Sequence, residues 1–268
     1  MKDEEPDLDK DFIINNIYKI QYEMGKGGYG KVYLVQNIKD GKNYALKVLS
    51  AKKDKEKLKQ DFLKEINIIQ KLKKLNDSYI LKIYNFGKFI TKNIERLYYV
   101  MDYAEKEDLL HYITVNHGLG EEFGKILFKK ILEGIQFCHK NNYCHFDIKV
   151  TNILLNENFN PIIIDFGLSQ PIKFSDKDEL IPYKGKRGTP FNECPQMFEH
   201  EKTYNGIDAD IFALGVLLFH LVLGLPCFSS AIGHSYQNIK KKNMLIFGIA
   251  NLKQLEYPRN LKIYLFKW

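Results

Sequence analysis

Two short polar clusters lie thirteen residues apart in this chain. The first is His145-Phe146-Asp147-Ile148-Lys149-Val150-Thr151-Asn152, and the second is Asp165-Phe166-Gly167. Asp147 offers a base and Lys149 a fixed cation. Asn152 and Asp165 offer oxygen ligands for a hard divalent cation such as magnesium. That set fits in-line transfer of a phosphoryl group from a magnesium nucleotide to a hydroxyl. Taken singly, Asp147 and Asp165 are simply residues of the type that opens a turn. Their joint spacing lifts them. Between Asn152 and Asp165 lie Ile153-Leu154-Leu155 and Pro161-Ile162-Ile163-Ile164, which read as two buried strand pieces bracketing Asn156–Asn160. A hairpin of that kind brings Asn152 and Asp165 near each other.

Three features upstream belong to the same chemistry. Gly25-Lys26-Gly27-Gly28-Tyr29-Gly30-Lys31-Val32 has the pattern G-x-G-x-x-G-x-V, in which glycines let backbone amides approach phosphates. A dinucleotide fold uses a similar spacing, but there a helix follows the glycines, and here a strand does. Lys47 lies in the apolar run Ala45-Leu46-Lys47-Val48. Read alone it is an edge-strand lysine facing water. Glu65 sits near the apolar face of the helix that follows, which would let it point inward as the partner of Lys47. Read alone it is an exposed helix glutamate.

The elements that must position these residues fall into two groups. Residues 1–16 read as a charged tail. From Tyr18 to about Asp102 strand signals dominate. Tyr18–Ile20 leads into the glycines, Lys31–Val35 and Tyr44–Val48 flank an Asp40-Gly41 turn, and further strands are expected near Ile80–Phe86 and Arg96–Tyr103. One helix, Leu58–Lys74, carries Phe62, Ile66, Ile69 and Leu72 at helical spacing. Beyond Asp108 helix signals dominate. Glu121–Lys140 is amphipathic through Phe123, Ile126, Leu127, Ile131, Leu132 and Ile135, and Ile211–Leu223 is apolar nearly all round, as a core helix is. The fold class is therefore α+β, with a small antiparallel-sheet lobe over residues 17–102 and a mainly helical lobe over 103–268. A cleft is expected between them.

Composition narrows the partners. The chain has 268 residues, of which 45% are hydrophobic, enough for a sizeable core. The net charge is +7. Residues 51–75 hold nine lysines against four acidic residues, but a nucleic-acid groove needs stacking aromatics as well, and this stretch offers only Phe62. A solvated helix face is the reading, with no nucleic-acid partner. The apolar stretch Ile211–Gly224 is short for a membrane span and contains His220, so no span is expected. Cys138, Cys144, Cys194 and Cys227 show no paired metal-ligand spacing and read as thiols of a reducing compartment, the cytosol or the nucleus. The acidic N-terminus, MKDEEPDLDK, carries no apolar signal core.

Taken together, over about Tyr18–Phe228, these residues resemble the protein-kinase signature set, in the family's order and at its spacings. Gly188-Thr189-Pro190 resembles the substrate-binding turn of serine/threonine kinases, and Asp210-Ile211-Phe212-Ala213-Leu214-Gly215 the start of the large lobe's central helix. The resemblance implies an ATP-dependent serine/threonine protein kinase using magnesium. Asp147 would orient the substrate hydroxyl and take its proton, and Lys149 would stabilise charge on the transferred group. Lys47, paired with Glu65, would hold the α- and β-phosphates, beneath the loop formed by Gly25, Lys26, Gly27, Gly28, Tyr29 and Gly30. Asn152 and Asp165 would bind the metal. Val32, Ala45 and Leu154 would sandwich the adenine, with Met101 behind it. The backbone of Asp102 and Ala104 would bond its edge, and Asp108 would accept from the ribose. Asp210 would bond the catalytic-loop backbone. A small-molecule kinase would not need Gly188-Thr189-Pro190. Thr151 stands where an acidic residue often reads substrate arginine, so a basic-directed preference is not implied.

The chain also departs from the pattern. Phe146 replaces the arginine before the catalytic aspartate, which in the family pairs with a phosphorylated residue of the activation segment. The implied consequence is constitutive activity or control by another route, with Ser169, Ser175 and Thr189 as remaining modifiable hydroxyls. Gln196 in Cys194-Pro195-Gln196 replaces a glutamate that forms an ion pair in the family. The stretch Phe174–Lys186 reads as a polar, mobile insertion. After Gly224-Leu225-Pro226 the large lobe reads as shortened. Ser235–Lys242 is expected to form one helix, and Asn251–Trp268 has no clear family match. These departures support the alternative of a pseudokinase, an ATP-binding or scaffolding module.

Overall fold

A computed structural model describes residues 8–27, 30–50, 55–73, 79–104, 106, 109–190, 192–198 and 203–226. The chain forms two compact units, Met1–Lys106 with Asn156–Asn158, and Glu107–Leu155 with Phe159–Trp268. The expected helix Ser235–Lys242, the stretch Asn251–Trp268, Cys227, Gly28, Tyr29 and Asp108 lie outside the described residues.

The first unit contains β1 (Ile13–Ile14), β2 (Tyr18–Gly27), β3 (Gly30–Asn37), β4 (Asn43–Leu49), α1 (Lys55–Lys73), β5 (Ile83–Thr91) and β6 (Ile94–Met101). The strands form one antiparallel sheet in the order β1-β2-β3-β4-β6-β5. Alternation along each strand gives the sheet two distinct faces. Ile20, Tyr33, Val35, Leu46, Val48, Tyr98 and Val100 share one apolar cluster. The other face carries Ala45, Lys47, Tyr99 and Met101, with Ala45 opposite Met101 and Lys47 opposite Tyr99. Helix α1 packs there through Phe62, whose ring centroid lies 6.3 Å from that of Tyr99. Lys57, Lys59 and Lys71 of α1 are exposed, in keeping with a solvated face.

The expectation of a charged tail over residues 1–16 fails for residues 8–16. Leu8 and Ile14 are buried in the apolar cluster, and Phe12 packs against Phe89. Asn15 donates to the Lys88 carbonyl and the Tyr98 hydroxyl, and Asp11 pairs with Lys19 at 2.9 Å. A two-residue strand is too short to show periodicity, and the flanking charges hide its apolar contacts. Ile14→Ala should cost about 2–4 kcal/mol of stability, the usual price of emptying a buried isoleucine site. Chemical denaturation measures it; a loose tail would give no change.

The second unit contains α2 (Leu109–Asn116), α3 (Gly120–Lys140), β7 (Tyr143–Cys144), β8 (Ile153–Leu155), β9 (Pro161–Ile163), β10 (Gln170–Pro171) and α4 (Gly206–Leu223). Strand β7 pairs with β10, and β8 with β9. Helix α4 is long and apolar enough by composition to cross a membrane, but it buries Ile207, Ala209, Asp210, Ala213, Leu214, Val216, Leu217 and Leu221 as a core helix does. Asn205 caps its start by accepting from the Ile207 amide at 2.9 Å. The buried stripe of α3 differs from expectation. Phe123 and Ile126 are exposed, and Gly124 and Phe128 are buried instead. A Cβ on Gly124 would fall 2.9 Å from side-chain atoms of Leu221 and Val222. That close approach to α4 sets which face of α3 turns inward.

Candidate active site

In the second unit the segment between β7 and β8 is held from below by Asp210 of α4. Asp210 is fully buried and accepts from the backbone amides of His145 and Phe146, each at 2.8 Å. His139 of α3 reaches the same carboxylate at 2.8 Å. The backbone of 145–147 is thereby fixed, with Phe146 in the left-handed region at φ 64. His145 in turn contacts the Ile164 carbonyl at 3.1 Å and lies 4.8 Å, centroid to centroid, from the Phe166 ring. The two clusters recognised in the sequence are therefore joined through His145.

Asp147 projects from this loop into a closed set of donors. Lys149 Nζ donates to its Oδ2 at 2.8 Å, Thr189 Oγ1 to its Oδ1 at 2.6 Å, and Asn152 Nδ2 to its Oδ2 at 2.9 Å. Lys149 also donates to Thr189 Oγ1 at 2.7 Å. Burial pushes the Asp147 carboxyl upward, but the Lys149 and Thr189 hydrogen bonds and the Lys149 charge outweigh it. Its pKa lies below the ordinary carboxylate value. The group is an anion at neutral pH, set to accept a hydrogen bond.

Asn152 donates a second bond to the Asp147 carbonyl at 2.8 Å. With the amide nitrogen committed, its Oδ1 is the atom left to face a cation. The β8–β9 pair holds the metal candidates in register: the Ile164 amide donates to the Asn152 carbonyl at 3.0 Å, so Asp165 follows directly. Asp165 has φ 63 and a loose 3.4 Å contact from the Gly167 amide. Two oxygen donors of this kind suit a hard cation. Leu154, on β8, is half-buried.

In the first unit Lys47 Nζ lies 3.6 Å from Glu65 Oε1, and both side chains are largely buried. The inward orientation of Glu65 is as expected. Sequence reading missed its second partner, Tyr99, whose hydroxyl donates to the same oxygen at 2.9 Å. Gly25, Lys26 and Gly27 end β2 opposite Val32, Lys31 and Gly30 of β3. Gly30 has φ +151, and a Cβ there would fall 2.1 Å from the Val48 carbonyl oxygen, so only glycine fits. Val32 faces Lys47 across the β3–β4 ladder. Met101 and Ala104 are buried. The Asp102 amide donates to the Lys82 carbonyl at 3.2 Å, and its carboxylate accepts from Tyr84 at 2.6 Å.

Phe146 occupies an aromatic cluster. Its ring meets Tyr183 edge-on at 4.9 Å and Tyr204 at 6.3 Å. Tyr183 and Tyr204 exchange backbone hydrogen bonds of 2.9 and 3.0 Å. Tyr183 also donates to the Pro171 carbonyl and Tyr204 to that of Gly185. The stretch Phe174–Lys186 is thus not a loose insertion. It closes on itself through a Phe174–Leu180 bridge and bonds from Ser175 to Glu179 and Ile181 to Lys173. All three expected modification hydroxyls are engaged, Ser175 Oγ accepting from the Lys177 and Glu179 amides at 3.3 and 3.2 Å. Ser169 is fully buried and donates to the His145 carbonyl, and Thr189 bonds Asp147.

Comparison with known proteins agrees with this geometry. The protein kinase domain family matches residues 18–264, which takes in most of the stretch from Asn251 onward. NUAK family SNF1-like kinase 1 of Homo sapiens is 34% identical over 222 residues, covering 83% of this chain and 31% of that protein. NUAK family SNF1-like kinase 2 of Pongo abelii is 31% identical over 230 residues, covering 84% of this chain and 33% of its own length. CBL-interacting protein kinase 11 of Oryza sativa subsp. japonica is 29% identical over 234 residues, 87% of this chain and 45% of that protein. The chain spans under half the length of these relatives. The chain therefore belongs to the protein kinase domain family, and its motifs are those of the serine/threonine type.

Proposed function

We propose that this chain transfers the γ-phosphoryl group of ATP to serine and threonine hydroxyls of protein substrates. The observation that carries this reading is the Asp147 carboxylate, kept ionised by Lys149 and Thr189 and oriented by Asn152. When bound, magnesium-ATP supplies the activated phosphoryl group with part of its charge neutralised. Asn152 Oδ1 and Asp165 would hold the cation, and Lys47 would hold the α- and β-phosphates. The amides of the Gly25–Gly30 loop would cover the phosphates. Val32, Ala45 and Leu154 would flank the adenine with Met101 behind it. The Asp102 carbonyl and the Ala104 backbone would meet its edge, and Asp108 the ribose.

Asp147 would accept the hydrogen bond of the incoming hydroxyl and take its proton as the P–O bond forms. A carboxylate of lowered pKa is a weak base, so its main contribution is alignment. Lys149, already bound to Asp147, would offset charge on the transferred group. Thr189 ties the Gly188-Thr189-Pro190 turn to this pair, which favours a protein hydroxyl over a small molecule. Cys138, Cys144 and Cys194 are buried and form no disulfide among the described residues, which supports a cytosolic or nuclear location. Among the described residues the polar groups assigned to phosphoryl transfer are retained, which supports transfer over the scaffold alternative.

The test is incubation with magnesium-ATP and a generic protein substrate. The expected result is magnesium-dependent phosphoserine or phosphothreonine. A folded chain that is thermally stabilised by magnesium-ATP yet transfers nothing overturns the reading.

A further inference from the structure

Tyr99 and Glu65 are both more than nine-tenths buried, and the phenol donates a 2.9 Å hydrogen bond to Glu65 Oε1. Lys47 reaches the same oxygen only at 3.6 Å. At that separation the attraction is Coulombic, without the directional hold of a hydrogen bond. The Lys47 ammonium also lies 5.4 Å from the centroid of the Tyr99 ring, within the range where a ring face attracts a cation. One side chain of β6 thus touches the acid with its hydroxyl and the cation with its face. Tyr99 stands directly opposite Lys47 in the β4–β6 ladder, and its ring packs on Phe62, which precedes Glu65 by about one helical turn.

We propose that Tyr99 is the positioning residue that docks Glu65, and with it α1, onto the sheet before a nucleotide engages Lys47. A carboxylate this deeply buried needs a donor. Lys47 must divide its charge between Glu65 and an anion, so its grip on Glu65 weakens when phosphate arrives. The neutral Tyr99 hydroxyl has no charge to divide between the acid and an arriving phosphate. The acid is held from the sheet side while Lys47 turns part of its charge to the phosphates. The catalytic consequence rests on the phosphoryl-transfer reading, whereas the docking is a property of the first unit alone.

Tyr99→Phe removes one oxygen and keeps the ring. Hydrogen exchange on the nucleotide-free chain should show the Phe62–Ile69 amides exchanging on the order of tenfold faster in Tyr99→Phe, with β2 and β3 unchanged. Lys47→Met should leave the same amides within about threefold of wild type. In turnover, kcat should fall about tenfold with the KM for peptide unchanged. The loss should vanish in a Glu65→Gln background, because the two residues act through one contact. Equal protection in wild type and Tyr99→Phe overturns the proposal, as does a larger loss of protection in Lys47→Met. An equal kcat loss with and without Glu65→Gln shows that Tyr99 acts elsewhere and overturns it too. Exchange is read without turnover, so a chain that transfers no phosphate overturns the proposed function while the docking is still measured.

Discussion

Asp147→Asn should lower kcat for phosphoryl transfer on the order of 10³-fold, within the range that a positioned acid–base group contributes. The substitution keeps the shape and leaves an amide that accepts a hydrogen bond poorly along the reacting direction and takes no proton. Magnesium-ATP should still raise the melting temperature as it does for wild type, because Asp147 is assigned to the hydroxyl and not to the nucleotide. The variant should also lose about 1–3 kcal/mol of stability at neutral pH, the usual cost of removing hydrogen bonds to a buried charged group. The carboxyl pKa is lowered in the folded chain. Its contribution is therefore fully present above the unfolded carboxyl pKa and fades as pH falls through the folded one. Wild type and variant should differ most at neutral pH and converge in strong acid. Steady-state kinetics with denaturation at several pH values measures both effects. Equal turnover in the two proteins would sink the role given to Asp147.

The parts of this site that were legible in the sequence are those set by local spacing. Asp147, Lys149 and Asn152 lie within one loop, so their mutual bonds follow from a single backbone conformation. Asn152 and Asp165 are joined by a hairpin whose strands announce themselves as short apolar runs. The Lys47–Glu65 pair needed one further inference, that a glutamate near an apolar helix face turns inward. Contacts between distant, ordinary-looking residues were not legible. Tyr99 reads as plain strand core, and nothing local shows that its hydroxyl meets a carboxylate 34 residues earlier. Ile13–Ile14 is too short for a periodic signal, and the inward face of α3 depends on where Gly124 meets α4. Phe146 could be recognised as a substitution, but Tyr183 and Tyr204 could not be recognised as its neighbours.

Those neighbours define the second large effect. Phe146→Arg restores the residue that the family pairs with a phosphorylated activation segment, yet here it should be strongly destabilising. Phe146 is 5% exposed and packs in one cluster with Cys144, Ile172, Cys194, Met197, Tyr204 and Ile207. Asp210 already accepts from the amides of His145 and Phe146 and contacts His139. A guanidinium placed there must leave water and displace the aromatic packing, and a buried charge that is not fully compensated costs about 3–5 kcal/mol. Phe146→Leu keeps the site apolar and should cost less, about 1–2 kcal/mol, since it empties only part of the ring volume. The same packing bears on control. Tyr183 lies in the stretch between Asp165 and Gln196, and its ring contact with Phe146 and backbone pairing with Tyr204 tie that stretch to the core of its unit. Phosphatase treatment should therefore leave wild-type activity within about twofold, in contrast to segments ordered by a phosphate–arginine pair. A large loss on dephosphorylation, restored by rephosphorylation of the segment, would show that phosphate sets its conformation after all. A Phe146→Arg chain as stable as wild type would show that the aromatic cluster is too open to do so.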